Sequence, residues 1–317
     1  MDKENSFYTA IRSCLRGAGQ VMFQNSAWTG FFFLAGIFWG SYECGMPQVA
    51  YGAVVGLLAS TIAGFLLGEN INDGKDGLWG FNGILVGCAF PTFLENTWIM
   101  WLALVFCAMC TTWVRQGFNN VLLPWKVNSY TFPFVFLTWV FLLASRLSHA
   151  MPEASLSTPE LSAAMTTLHD ITFGDLVVYW LKGIAQVFLV NSWVTGIFFL
   201  VALALCSRWA AAWAAIASAV SLAVSLLFQF NGADISAGLM GFSPVLTGIA
   251  VGMTFYKPSW RSALWSIAAI IATVFIQAGM DAFMMPLGIP TLTGPFCIAT
   301  WLFMLPAYKL NKQQDAA

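Results

Sequence analysis

The stretch Gly77-Leu78-Trp79-Gly80-Phe81-Asn82-Gly83-Ile84-Leu85-Val86-Gly87 is apolar enough for a membrane, yet glycine recurs along it and one amide sits in its middle. A helix that only faces lipid gains nothing from that mixture. Glycine weakens a helix, and in return it lets another backbone or a ligand come close. A second copy follows as Gly238-Leu239-Met240-Gly241-Phe242-Ser243-Pro244-Val245-Leu246-Thr247-Gly248. Two glycine-interrupted apolar segments, one in each part of a chain, point to a solute path where internal repeats meet.

Composition sets the class. Of 317 residues, 59% are hydrophobic and 9% charged, and the mean hydropathy is +0.76. Soluble domains carry about 25% charged residues, so the chain reads as an integral membrane protein. The net charge of -1 gives no signal for nucleic acid. The N-terminus is polar (Asp2, Lys3, Glu4), and no short apolar core with a cleavage site follows. The first span is therefore expected to act as the insertion signal.

Residues 6–24 are mixed in character. Arg12 and Arg16 share one helical face, and Ile11 and Leu15 lie on another. This predicts a surface helix that turns inward at Gly17-Ala18-Gly19-Gln20. Apolar segments follow at about 28–42, 47–67, 78–94, 97–114 and 131–147. After a polar connector at 148–172 and a lead-in at 173–190, they recur at about 193–207, 209–229, 239–256, 262–283 and 291–308. Most approach the ~20 residues that a span requires, and the shorter ones suit tilted or broken helices. The expected division is a first repeat over 1–147, the external connector, and a second repeat over 173–317.

Charge bias tests that count. With the N-terminus in the cytoplasm and five crossings per half, Lys3, Arg12, Arg16, Lys75, Arg115, Lys126, Arg208, Lys257, Arg261, Lys309 and Lys312 all fall inside. Only Arg146 and Lys182 fall outside, beside the connector. That bias is the positive-inside pattern, and it places both termini in the cytoplasm.

The repeat extends beyond the opening stretch. Gly19-Gln20-Val21 with Asn25-Ser26 and Thr29-Gly30 returns as Ala185-Gln186-Val187 with Asn191-Ser192 and Thr195-Gly196. Phe32-Phe33-Leu34 returns as Phe198-Phe199-Leu200, and Thr131-Phe132-Pro133-Phe134 as Thr293-Gly294-Pro295-Phe296. Because five is odd, the second copy enters the membrane from the opposite side. The expected fold is an all-α polytopic membrane protein of two inverted-topology halves, with broken or half-spanning helices lining a central pore.

Gln20-Val21-Met22-Phe23, the two glycine stretches and the paired Thr-x-Pro-Phe motifs resemble the urea transporters in their short bacterial form, over about 5–310. The resemblance implies a homotrimer in the cytoplasmic membrane with one pore per protomer. By matched position, Gln20 and Phe23 with Phe242 and Leu246 would form one end of the constriction. Gln186 and Val187 with Phe81 and Leu85 would form the other, and Thr131 and Thr293 would face each other in the middle. Leu189 stands where Phe23 stands in the first copy, and Ser243-Pro244 replaces Asn82-Gly83. The second copy is the less regular.

Urea is small, planar, neutral and rich in N–H donors, and bare hydrocarbon offers it no partners. A conduit needs flat apolar walls and acceptors along one edge. Phe81, Phe242, Leu85 and Leu246 suit the walls, and the Gln20 and Gln186 oxygens suit the edge. Carbonyls freed at Pro133, Pro295 and the glycine breaks are further expected acceptors. A neutral slot would strip an ion of hydration uncompensated, and so reject Na⁺ and NH₄⁺.

Each feature has a plainer reading. Glycines also serve close helix packing, membrane glutamines also bond helix to helix, and membrane threonines also bond back to their own helix. Glu43, Glu69, Asp73, Asp76, Glu95, Asp234 and Asp281 fall near segment ends or loops, so no acidic chain suggests a proton relay. The seven cysteines lack metal spacing and are read as packing, and no cofactor is expected. His149 and His169 lie in or beside the connector. That counts against the alternative of an ammonia or other small neutral-solute channel with histidines in its pore. No nucleophile, base or metal cluster at depth suggests an enzyme.

Overall fold

Serine and threonine start most of the helices. Ser26, Thr97, Ser192 and Ser207 each accept a backbone N–H three residues on, while Thr172 with Asp175 and Ser259 with Ser262 form reciprocal capping boxes. These side chains satisfy N–H groups that would otherwise be orphaned in an apolar setting.

The computed structural model describes residues 3–67, 70–161 and 165–306. Glu69, Lys309 and Lys312 lie outside these ranges. The first part holds α1 (Lys3–Gln20), α2 (Ala27–Glu43), α3 (Pro47–Leu67), α4 (Ile71–Lys75), α5 (Phe81–Phe93), α6 (Trp98–Leu122) and α7 (Phe132–Ser145). The second holds α8 (Phe173–Ala185), α9 (Trp193–Cys206), α10 (Arg208–Leu227), α11 (Gly232–Ser236), α12 (Phe242–Ile249), α13 (Trp260–Met284) and α14 (Gly294–Met304). α1 is exposed at Tyr8 and Ile11 but buried at Gly17, Ala18 and Gly19, so it dips into the protein where the sequence places its turn.

Among the described residues, α3, α6, α10 and α13 are long and apolar enough to cross a membrane, and α8 and α9 form one further candidate, bent by 72°. The multi-pass membrane class follows from these. α5, α7, α12 and α14 are apolar but shorter. At 1.5 Å per residue, a helix of about a dozen residues reaches only some two thirds of a ~30 Å hydrocarbon core. Trp28, Trp98 and Trp260 sit exposed in the first turns of α2, α6 and α13, where amphipathic rings suit the lipid headgroup level.

α2 and α9 run antiparallel, and their bonds are reciprocal. Thr29 Oγ1 donates to the Ala202 carbonyl at 3.1 Å, and Thr195 Oγ1 donates to the Gly36 carbonyl at 2.8 Å. A second reciprocal set joins the regions around α7 and α14: Trp139 Nε1 donates to the Pro290 carbonyl at 2.9 Å and Trp301 Nε1 to the Asn128 carbonyl at 2.8 Å. Because each threonine bond is made once in each direction, Thr29→Val and Thr195→Val are expected to destabilise equally, by about 1 kcal/mol each. Thermal unfolding of the two variants in detergent checks this, and a large inequality would show that the contact is not reciprocal.

Candidate functional site

Two like constructions sit at the helix breaks. α1 ends at Gln20, and the turn after it places Phe23 at a φ of 61°. α8 ends at Ala185, and the turn Gln186–Phe188 places Leu189 at a φ of 58°. Gln20 Nε2 donates to the Asp76 carbonyl at 2.8 Å, and Gln186 Nε2 donates to the Ala237 carbonyl at 2.9 Å. Each carbonyl precedes a glycine at positive φ, Gly77 at 79° and Gly238 at 76°. A Cβ at either would also overlap the backbone of α1 or α8, so only glycine fits there. An amide whose nitrogen faces a carbonyl has its orientation fixed. Both Oε1 atoms are thereby left as acceptors without a hydrogen-bond partner among the described residues.

Thr131 and Thr293 precede α7 and α14, and neither hydroxyl caps its own helix. The two Oγ1 atoms lie 2.6 Å apart, with Cys297 Sγ 3.4 Å from Thr131 Oγ1. The two hydroxyls thus face each other rather than bonding back to their own helices. Tyr130 and Leu292, just before them, are at φ 49° and 52°. Asn82 holds the first of these starts: its Oδ1 accepts from the Phe134 N–H at 3.2 Å. Ser243, in the matching place on α12, is fully buried and its Oγ has no partner among the described residues. Among the described residues, no Asp, Glu, Lys, Arg or His hydrogen-bonds to either threonine.

A cavity of about 700 Å³ leads toward this pair. Gln186, Val187, Phe242 and Thr293 line it, with Leu189, Phe134 and Phe93. It passes Asp234, Gln277 and Asp281 and reaches Ser157, Thr158 and Glu160 of the connector. Phe242 thus shares a cavity with Gln186 and Val187, whereas the family resemblance pairs it with Gln20. Phe81, Leu85 and Leu246 are buried and do not line this cavity.

At the other end the rings close together. Phe23 meets Phe255, Phe296 and Tyr130 edge-on, with centroids at 5.5, 6.0 and 6.5 Å. Sequence reading omitted the last three. Phe255 carried a signal, however, because the second half has one more residue from Phe242 to Trp260 than the first has from Phe81 to Trp98. The chain absorbs it as a π-turn over Ala250–Thr254, immediately before Phe255.

Two expectations about the backbone need correction. Gly83 and Gly87 serve packing rather than a path: a Cβ on either would overlap Ser60 or the backbone of Gly52 and Gly56 on α3. Pro133 and Pro295 lie in the first turns of α7 and α14, where a missing N–H breaks no helical bond, so they free no carbonyl.

A multi-pass helical membrane protein with amide oxygens at its breaks and a hydroxyl pair below a deep cavity has the parts of a solute transporter. Comparison gives the family. Residues 11–308 match the sequence profile described as Urea transporter. The chain is 30% identical over 295 residues to Urea transporter 1 of Ovis aries, covering 92% of this chain and 75% of the relative. Urea transporter 1 of Rattus norvegicus is 28% identical over 294 residues, with the same shares covered. The chain belongs to the urea transporter family.

Proposed function

We propose that this protein conducts urea passively across the cytoplasmic membrane, through a neutral slot between two halves of inverted topology. The single observation that carries the reading is the Thr131–Thr293 hydroxyl contact at the starts of two short apolar helices, one from each half. A hydroxyl can both donate and accept, so the pair suits a solute that offers N–H groups and a carbonyl. Gln20 and Gln186 supply an acceptor at either approach, and Phe23, Phe81, Phe242, Leu85, Leu246 and Val187 shape the apolar surroundings. Reciprocal bonds between α2 and α9, and between the regions of α7 and α14, are what a two-fold inverted pair would make. The same reading carries the division at 1–147, 148–172 and 173–317, cytoplasmic termini, and a lipid-embedded homotrimer with one pore per protomer.

The reaction class is transport, not catalysis. An ammonia channel is the lesser reading, since His149 and His169 are exposed at the connector and neither lines the cavity. The decisive test is stopped-flow urea efflux from proteoliposomes, beside water, ammonia and Na⁺ controls. Urea efflux well above the bare-lipid rate, with Na⁺ retained, is the expected result. Urea at the bare-lipid rate or ready cation leakage would refute the reading. Gln186→Leu removes both the edge oxygen and the donor to Ala237, and flux is expected to fall about 10-fold, the equivalent of one hydrogen bond at the barrier.

A further inference from the structure

One side of the cavity takes no part in that reading. Gln277 and Asp281 lie one helical turn apart on α13, and both line the cavity. Gln277 Nε2 donates to the Leu239 carbonyl, which fixes the amide. Its Oε1 is buried and has no hydrogen-bond partner among the described residues. Asp281 Oδ1 accepts from Thr291 Oγ1 at 2.7 Å, and Asp234 Oδ2 accepts from Asn231 Nδ2 at 2.9 Å. No ion pair among the described residues involves either carboxylate. Burial pushes the Asp234 carboxyl above its ordinary range, although the Asn231 bond opposes this. This wall holds acceptors in excess of donors.

The first half shows what such acceptors bind. Arg115 holds the place in α6 that Gln277 holds in α13, and Asp73 holds the place in α4 that Asp234 holds in α11. Arg115 Nη2 lies 2.9 Å from Asp73 Oδ2. A guanidinium is a planar fork of N–H groups, and urea offers the same fork without the charge. Where the first half satisfies its carboxylate with the chain's own fork, the second leaves a carboxylate without a cation and an amide oxygen without a partner in residues that line the cavity.

We propose that Gln277 Oε1, Asp234 and Asp281 form an outer station that holds urea by its N–H groups before it reaches Gln186. This inference rests on the urea reading above. The probes are urea and guanidinium chloride, applied to the connector side of proteoliposomes carrying wild type, Gln277→Arg or Gln277→Met. Gln277→Arg rebuilds the Arg115–Asp73 pair against Asp234, so it removes the amide oxygen and neutralises one of the two carboxylates. Half-saturation for urea is expected to rise about 10-fold in Gln277→Arg, with maximal flux held within about twofold, and less in Gln277→Met. Guanidinium is expected to inhibit wild type and to lose that effect in Gln277→Arg. Unchanged half-saturation and unchanged guanidinium inhibition in variants that still conduct urea would overturn the station alone, as would a fall in maximal flux alone. A wild type without urea flux would overturn the transport reading, and the station with it.

Discussion

Urea flux through protein carrying both Thr131→Val and Thr293→Val is expected to fall at least about 10-fold, the equivalent of about 1.5 kcal/mol at the barrier. Valine keeps the shape of threonine and removes the hydroxyl, so the surroundings of the slot change little in size. Stability should follow a different order. The two hydroxyls are partnered with each other at 2.6 Å, and only Thr131 has a second neighbour, Cys297 Sγ at 3.4 Å. Thr131→Val alone therefore strands the buried Thr293 hydroxyl, at a cost of about 1–3 kcal/mol. Removing both leaves nothing stranded, so the double variant is expected to unfold at a higher temperature than Thr131→Val. Unchanged flux in the double variant would take both threonines out of the path. A double variant less stable than the single would show that the hydroxyls are not each other's partners.

Equivalence is legible in the repeat itself, whereas the repeat does not say which residues meet. The repeat identified Gln20 with Gln186 and Thr131 with Thr293, and each matched pair occupies like surroundings. The threonines also touch, but that is a special case of residues lying beside the line that relates the two halves. The family resemblance places Phe242 with Gln20, whereas Phe242 lines the cavity of Gln186. A repeat says which residues correspond and leaves open which half supplies each wall. The glycines depart from expectation for a related reason. One short helix presents several faces, and composition does not say which face meets a neighbour. Asn82 turns to the start of α7, while Gly83 and Gly87 turn to α3. Gln277 gives no signal in the repeat, because its partner there is an arginine and no motif recurs.

That glycine contact carries the largest expected loss of stability. On α3, Gly52 and Gly56 oppose Gly87 and Gly83 of α5, and a Cβ on any of the four would overlap atoms across the interface. For Gly52, Gly56 and Gly87 the nearest atom is a backbone carbonyl oxygen, which belongs to a helix and cannot swing aside. Gly87→Ala is therefore expected to separate two helices, at a cost of ~3 kcal/mol or more. The second half makes a natural control. There Gly248 stands in the place of Gly87, and its added Cβ would lie 2.7 Å from the Ala217 Cβ, a side-chain atom. Gly248→Ala should cost less, and adding Ala217→Gly should recover most of the loss by removing the opposing methyl group. No single substitution can do the same for Gly87→Ala, because a main-chain oxygen cannot be mutated away. Thermal unfolding of the three variants in detergent separates these cases. Wild-type stability in Gly87→Ala would mean that α3 and α5 lie further apart than the glycines allow.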